Sequence, residues 1–308
     1  MLDGLSLDQL RTFVAAAEEG SFSSAGRRLR RTQSAISETM NNLERQLGVR
    51  LFDRQGRYPR LTPEGKVLLS DARSIIAGVE NLKARAKGIS GGLEPELVAV
   101  IDVFFPITAM AEAAHEFRVQ FPGTPLRLFV EALGGAMQPV VDGRASFGVV
   151  GSLQMLPSGL ESEQIATINF VSVAASHHPL AAYDGPIPRE ELAKHVQLVL
   201  TDRSSISEGQ EFGVLSPLTW RLADLFAKHA FLLSGLGWGG MPFHAVSNDI
   251  AEGRLVVLPI EATPVGGYHM PISAIYRLSA PPGPAGRWMI ERLKHCTRGR
   301  QVAKDLPD

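Results

Sequence analysis

Between Arg27 and Arg60, nine arginines (27, 28, 30, 31, 45, 50, 54, 57 and 60) are opposed only by Glu38, Glu44 and Asp53, although the whole chain is nearly balanced at 31 basic and 32 acidic residues. A local excess of guanidinium suits a phosphate backbone, whose oxygens match the planar fork of arginine. Interleaved with it is a run of short polar side chains, Thr32, Gln33, Ser34, Ser37, Glu38 and Asn41. Side chains of that size suit base edges or neighbouring phosphates in a major groove. Arginine runs also form plain solvated helix faces, so composition alone leaves both readings open.

The elements around these residues weigh towards DNA. Leu7, Leu10, Phe13, Val14 and Ala17 recur at helical spacing, with Ser6 as cap and Gly20 as stop. Ser21 or Ser23 opens a second short helix carrying Phe22, Ala25 and Leu29. Thr32 caps a third, with Ala35, Ile36, Met40, Leu43 and Leu47 as its buried stripe and Gly48 at its end. The small Ala25 and Gly26 permit the close helix crossing of a helix-turn-helix. LFDRQGRYPRLT then makes two short extended pieces around Gln55-Gly56, a hairpin wing with Arg54 and Arg57 near its tip. The expected DNA contacts are Arg31, Thr32, Gln33, Ser34, Ser37, Glu38, Arg50, Arg54 and Arg57, within a domain of residues 1–61.

Residues 62–92 read as a linker. Thr62 caps a helix with Pro63 at its first position, and Leu68, Ala72, Ile75, Val79, Leu82 and Ala86 are spaced four, three, four, three, four. A heptad seam of that length asks for a partner helix; packing on its own effector domain is the plainer alternative. A homodimer, or a homotetramer built from it, would present paired reading helices to a palindrome. GISGG at 88–92 fits a nucleophile-elbow pattern around Ser90, but a helix precedes it and a strand follows, the reverse of what an elbow needs.

From residue 93 to 308 the pattern changes to strand–helix alternation: LVAVIDVFF (97–105), the helix 109–121, LRLFVEAL, FGVVG, then NFVSVAA (169–175), HVQLVLTD (195–202), a helix over 222–237, RLVVLPI (254–260), PISAIYRL (271–278) and a closing helix 285–296. Such alternation implies an α/β fold with a parallel, doubly wound sheet.

Other chemistry is weakly supported. GLGWGG at 235–240 follows a helix rather than a strand, so helix-terminating glycines account for it better than a dinucleotide site. His177 and His178 have no carboxylate or thiolate cluster nearby in sequence, and His229 with Asp224 reads equally as a solvated pair. No metal site, cofactor or enzyme activity is expected. Cys296 is the single cysteine, which excludes an internal disulfide framework and suits a reducing cytoplasm. The amino terminus has no signal-peptide pattern, and no apolar run approaches the roughly 18–20 residues of a membrane span. A cytoplasmic protein is expected, with no membrane partner.

TFVAAAEEGSFSSAGRRL, TQSAISETMNNLERQLGVRLFDR and LTPEGKVLL, in that order, resemble the winged helix-turn-helix of LysR-type transcriptional regulators over about the first 90 residues. HEFRVQFPGTPLRL, HHPLA, GLGWGGMP and NDIAEGRLVVLPI resemble, more loosely, their periplasmic-binding-protein-like effector domain. The resemblance implies an N-terminal all-α winged helix-turn-helix and a two-lobed effector domain, with lobe I at 93–162 and 267–300 and lobe II at 163–266. It places the recognition contacts on Thr32, Gln33, Ser34, Ser37 and Glu38, and the wing contacts on Arg54 and Arg57. It implies double-stranded DNA and a small-molecule effector as partners, with RNA polymerase a further candidate. This sequence departs from the family pattern at Gly26, where a second alanine is usual, and at Glu38, which opposes phosphate but can accept from a cytosine amino group.

Ligands of two-lobed α/β folds sit at the carboxyl ends of strands, between lobes. That rule selects Phe104, Phe105, Pro106 and Thr108, then Thr201, Asp202, Arg203 and Ser204, and Trp220. Phe104 and Phe105 fit a core role equally well. If they are open to the cleft, the ligand is aromatic or apolar, with hydroxyls at Thr108, Thr201 and Ser204 and an anion partner at Arg203. Asp202 would oppose a carboxylate unless Arg203 neutralises it. The rival reading is a solute-binding or catalytic α/β protein with an appended helical dimerisation module.

Overall fold

Short-range capping sets the helix starts of the first unit. The Ser6 hydroxyl accepts from the Gln9 N–H at 3.2 Å while Gln9 Oε1 accepts from the Ser6 N–H at 2.8 Å, a reciprocal box that opens α1 (Leu7–Glu19). Ser21 caps α2 (Phe22–Leu29) and Thr32 caps α3 (Gln33–Leu47). The computed structural model describes residues 4–54, 58–151, 156–264 and 266–301, and the chain divides into two units, Met1–Ser90 and Gly91–Asp308.

In the first unit the α2–α3 turn is closed by the Arg31 N–H donating to the Gly26 carbonyl at 2.8 Å, with Arg30 left-handed at φ 56°. A Cβ on Gly26 would lie 2.7 Å from the Arg31 carbonyl oxygen. The glycine is therefore required by the turn, and its helix-propensity cost is offset by the tight return it permits. Phe13 and Phe22 meet Phe52 edge-on at 5.7 and 5.3 Å, over the fully buried Ile36, Met40 and Leu43. Burying each such side chain contributes roughly 1.5–3 kcal/mol. Phe52 belongs to β1 (Phe52–Asp53), which pairs antiparallel with β2 (Arg60–Leu61) to form the wing. The wing tip, with Arg57, lies outside the described residues.

The Thr62 hydroxyl accepts from the Gly65 N–H at 2.9 Å and opens α4 (Pro63–Ser90). The expected seam divides along this helix. Leu68 and Ala72 pack into the core of the winged unit, Ala72 almost wholly buried, while Ile75 and Leu82 are exposed and Val79 is half-buried. The first turns thus find their cover within the same chain, because α1 lies against α4 there. An apolar stripe remains exposed at Val67, Ile75 and Leu82.

In the second unit β3 (Leu97–Asp102), α5 (Ile107–Gln120), β4 (Leu126–Glu131), α6 (Gly134–Val141) and β5 (Phe147–Gly151) come first. They lead into a 16-residue strand, β6 (Leu160–Ala175), longer than the 169–175 segment expected. A 3-10 turn at Pro179–Ala182, α7 (Arg189–Leu192), β7 (Gln197–Leu200), β8 (Thr219–Leu222), α8 (Leu225–Leu233), β9 (Trp238–Pro242), α9 (Phe243–Ala251) and β10 (Leu255–Val257) follow. The chain closes with β11 (Tyr268–Arg277) and α10 (Pro284–Gln301). Among the described residues one nine-stranded sheet has the order β4-β3-β5-β11-β6-β9-β7-β8, with β10 beside β6.

The sheet is mixed rather than wholly parallel. β3 runs parallel to β4 and β5, and β7 to β8 and β9, but β11 pairs antiparallel along its whole length with residues 160–170 of β6. That ribbon is shared by both α/β lobes, and its register shifts between Ile272 and Ser273, facing Ala166 and Gln164. Ser162, the expected end of the first lobe segment, lies in β6 and pairs with Ile275. The helix expected over 222–237 is shorter, because Leu222 ends β8 and Trp238 begins β9. The glycines after it are strand residues as well as a helix stop: a Cβ on Gly240 would meet the Phe170 ring at 2.7 Å. α9 was not expected from the sequence at all.

Candidate DNA-reading surface and ligand cavity

α3 presents Thr32, Gln33, Ser34 and Glu38 as exposed side chains, with Ser37 half-buried beside them. Thr32 has a structural task too, since its hydroxyl accepts from the Ala35 N–H at 3.2 Å and lies 3.0 Å from that of Ser34. Several arginines are already engaged. Arg31 makes a bidentate pair with Asp8 at 2.7 and 3.0 Å, and Arg28 pairs with Glu18 at 2.8 Å. Those bonds hold the Glu18 carboxyl below the usual range, Arg28 contributing most and Arg73 next.

Arg54 is a clamp as much as a reader. It donates to Asn41 at 2.6 Å and Glu44 at 2.8 Å and lies over the Phe22 ring at 5.2 Å. The same Glu44 carboxylate accepts from the Leu51 and Phe52 N–H groups at 2.8 and 3.0 Å, fixing the start of the wing strand to α3. The sequence offered no signal for Glu44 beyond its sign. Among the described residues Arg30, Arg50 and Arg60 are exposed and form no ion pair, and Arg27 bonds only serine hydroxyls.

The second unit encloses a cavity of about 350 Å³ beside the β6/β11 ribbon. Phe104 and Leu133 reach it from the lobe carrying β3 and α6, while Lys228, Trp238 and Phe212 reach it from the other lobe. Phe170 of β6 and Tyr268 of β11 form its floor, with ring centroids 5.3 Å apart, and Phe104 stands edge-on to Phe170 at 4.9 Å. Burial pushes the Tyr268 phenol up to about 12.

Asp102, at the end of β3, is buried and accepts from the Phe104 N–H at 2.8 Å and the Gly151 N–H at 3.5 Å. Burial pushes its carboxyl up to about 7; bonds from Phe104, Gly151 and Leu133 N–H oppose that rise, and Asp202 adds to it. Leu133 is held at φ 49°, a conformation that costs a branched residue about 1–3 kcal/mol and survives only where neighbours enforce it.

Of the ligand residues expected from sequence, only Phe104 lines the cavity. Phe105 is core, Pro106 precedes α5, and Thr108 is exposed on its first turn. Asp202 does not need Arg203: its carboxylate accepts from the Gly135 N–H at 2.7 Å at the start of α6, and from Ser204 and Ser207 hydroxyls. Helix-end N–H groups attract a carboxylate, so Asp202 and Ser204 tie the 201–207 loop to α6. Thr201 is half-buried behind Asp202, and Arg203 is exposed. Trp220 is half-exposed on β8, the sheet edge, away from the cavity. Asp224 caps α8, bonding the Ala227 N–H at 2.6 Å, while His229 pairs instead with Asp249 at 2.9 Å. His178 Nδ1 accepts from the Leu180 N–H at 3.2 Å, and among the described residues no cluster could hold a metal ion.

Sequence reasoning missed Lys228 and Trp238. Lys228 falls three residues after Leu225 and four before Leu232, on the buried stripe of an otherwise apolar helix. That misplaced charge was the available signal.

A winged helix-turn-helix joined to a two-lobed α/β unit with an internal cavity defines a ligand-responsive DNA-binding protein. Residues 7–66 match the family described as bacterial regulatory helix-turn-helix protein, lysR family, and residues 91–297 match the LysR substrate binding domain. The chain belongs to the LysR family of transcriptional regulators, which are DNA-binding proteins that oligomerise and are not enzymes. It is 30% identical to the uncharacterised HTH-type transcriptional regulator YeeY of Escherichia coli K12 over 253 residues, 81% of this chain and 82% of that protein. It is 31% identical to the probable HTH-type transcriptional regulator YhaJ of the same organism over 263 residues, 84% of this chain and 87% of that one. The structure of the Corynebacterium glutamicum OxyR C206 mutant has the same fold, with TM-score 0.58 and 22% identity, covering 98% of each chain. No helix among the described residues is long and apolar enough to cross a membrane.

Proposed function

We propose that this regulator reads a palindromic operator through Gln33, Ser34, Ser37 and Glu38 of α3. Arg50, the wing arginines and the Thr32–Ser34 turn contact phosphate on either side. Paired copies joined along α4, as a dimer or a tetramer, set the half-site spacing, and RNA polymerase is a further contact of the bound form. A small molecule in the cavity between the lobes of the second unit controls the spacing by biasing lobe closure. The observation that carries this reading is the cavity itself: about 350 Å³, open to a ligand, and lined from both lobes across the β6/β11 ribbon.

A mobility-shift assay against the promoter regions adjoining its own gene tests the reading. Specific, salt-sensitive retardation is expected, and its absence from every such fragment sinks the proposal. Ser34→Ala with Ser37→Ala is expected to reduce operator selectivity while leaving ligand affinity unchanged.

A further inference from the structure

Two donor side chains among the residues lining the cavity have hydrogen-bonding capacity to spare. Lys228 is 4% exposed, and its Nζ donates to the Gly240 carbonyl at 2.7 Å. That single bond leaves its remaining N–H groups without a partner among the described residues. Trp238 is wholly buried, and its indole Nε1–H has no hydrogen-bond partner among the described residues. Both side chains line the same cavity, and no aspartate or glutamate does. Gln197 also lines the cavity; its Nε2 donates to the Gly213 carbonyl, and its Oε1 accepts from the Leu215 and Ser216 N–H groups. Buried donors are rarely left unmet, because each costs about 1–3 kcal/mol. A buried ammonium without a counter-charge costs more, and this one is pushed down to about 7 by burial.

Around those donors the wall is flat and apolar. Phe104, Phe170, Phe212 and Tyr268 supply ring surface, and the absence of a side chain at Gly240 leaves the Phe170 face open. The cavity therefore combines one cationic pole with an aromatic slot.

We propose that the effector is a small monocarboxylate with a flat apolar body, its carboxylate held by Lys228 Nζ and Trp238 Nε1–H and its body lying against Phe104, Phe170 and Tyr268. This rests on the reading of the cavity as the effector site. The carboxylate supplies an acceptor for the indole N–H and for the remaining Lys228 N–H groups, and the negative charge that Lys228 lacks. A neutral amide of the same shape offers one carbonyl acceptor but no charge, so it gains far less from the lysine.

Calorimetric titration of the full chain with phenylacetate and 3-phenylpropionate, and with their amides, tests the assignment. The acids are expected to bind at least about tenfold tighter than the amides, a difference of about 1.4 kcal/mol. Lys228→Met, close in length and apolar, is expected to abolish that preference by weakening the acids far more than the amides. Trp238→Phe is expected to weaken the acids several-fold. Amides that bind as well as acids overturn the proposal, as do acids that fail to bind at millimolar concentration or a Lys228→Met chain that keeps full acid affinity. The acid–amide contrast on the unaltered chain stands even if a variant does not fold. Acids that bind through Lys228 without altering the operator complex leave the assignment intact and count instead against effector control.

Discussion

At the scale of single residues, Gly26 and Lys228 both contradict the rule their surroundings suggest. Alanine for glycine inside a helix ordinarily gains about 1 kcal/mol. At position 26 the new Cβ would press on the Arg31 carbonyl at 2.7 Å, and that atom is backbone. Gly26→Ala is therefore expected to lower stability, by about 1–3 kcal/mol as the α2–α3 turn opens. Circular dichroism melts of the full chain check the sign, and an unchanged or raised midpoint refutes it. Lys228→Met has the opposite expectation. Removing a buried unpaired ammonium stabilises the ligand-free second unit at neutral pH by on the order of 2–4 kcal/mol, read by urea unfolding. The caps at Ser6, Thr32 and Thr62 were legible in sequence because each acts over three residues. The true partners of Arg31 and Arg54 were not: Asp8 and Glu44 lie 23 and 10 positions away, and charge pairing at that range depends on the fold.

At the scale of elements, α4 shows where periodicity informs and where it stops. The four-three spacing located the apolar helix, yet part of that seam is satisfied inside its own unit by Leu68 and Ala72. What remains for a second copy is the stripe of Val67, Ile75 and Leu82. Ile75→Glu with Leu82→Glu is expected to shift the assembly towards monomer while leaving the winged unit folded, and sedimentation velocity with circular dichroism would register both. Persistent oligomers would remove α4 from the interface. The α/β alternation of the second unit was legible, since buried β-branched runs and amphipathic helices differ in period. β9 was lost because Gly237, Gly239 and Gly240 resemble a helix stop, when their smallness admits neighbouring strand and ring atoms. The cavity lies away from the expected turns for a related reason: Asp202 spends its carboxylate on the first turn of α6 and on the Ser204 hydroxyl.

At the scale of the molecule, the two units can be followed separately, because all three tryptophans, Trp220, Trp238 and Trp288, belong to the second. Their fluorescence during unfolding should show a specific pH profile. Asp102, raised to about 7, favours the folded state at low pH and loses that contribution as pH rises through about 7. Lys228, lowered to about 7, costs stability below that pH, and the cost fades as pH climbs towards 10.5. Stability of the ligand-free second unit is thus expected to rise from pH 7 to about 10, and a Lys228→Met chain that still shows the full rise contradicts this. The internal pairing of Arg28, Arg31 and Arg54 reaches further, to the thermodynamics of operator binding. Arginines that already carry a protein carboxylate exchange one anion for another at a phosphate, so net release of the ions condensed on the DNA comes from Arg27, Arg30, Arg45, Arg50, Arg60 and whatever the wing tip adds. The slope of log affinity against log salt should then be about −4 to −5 per winged unit, and replacing Arg50 by alanine should flatten it by about one while replacing Arg31 leaves it unmoved.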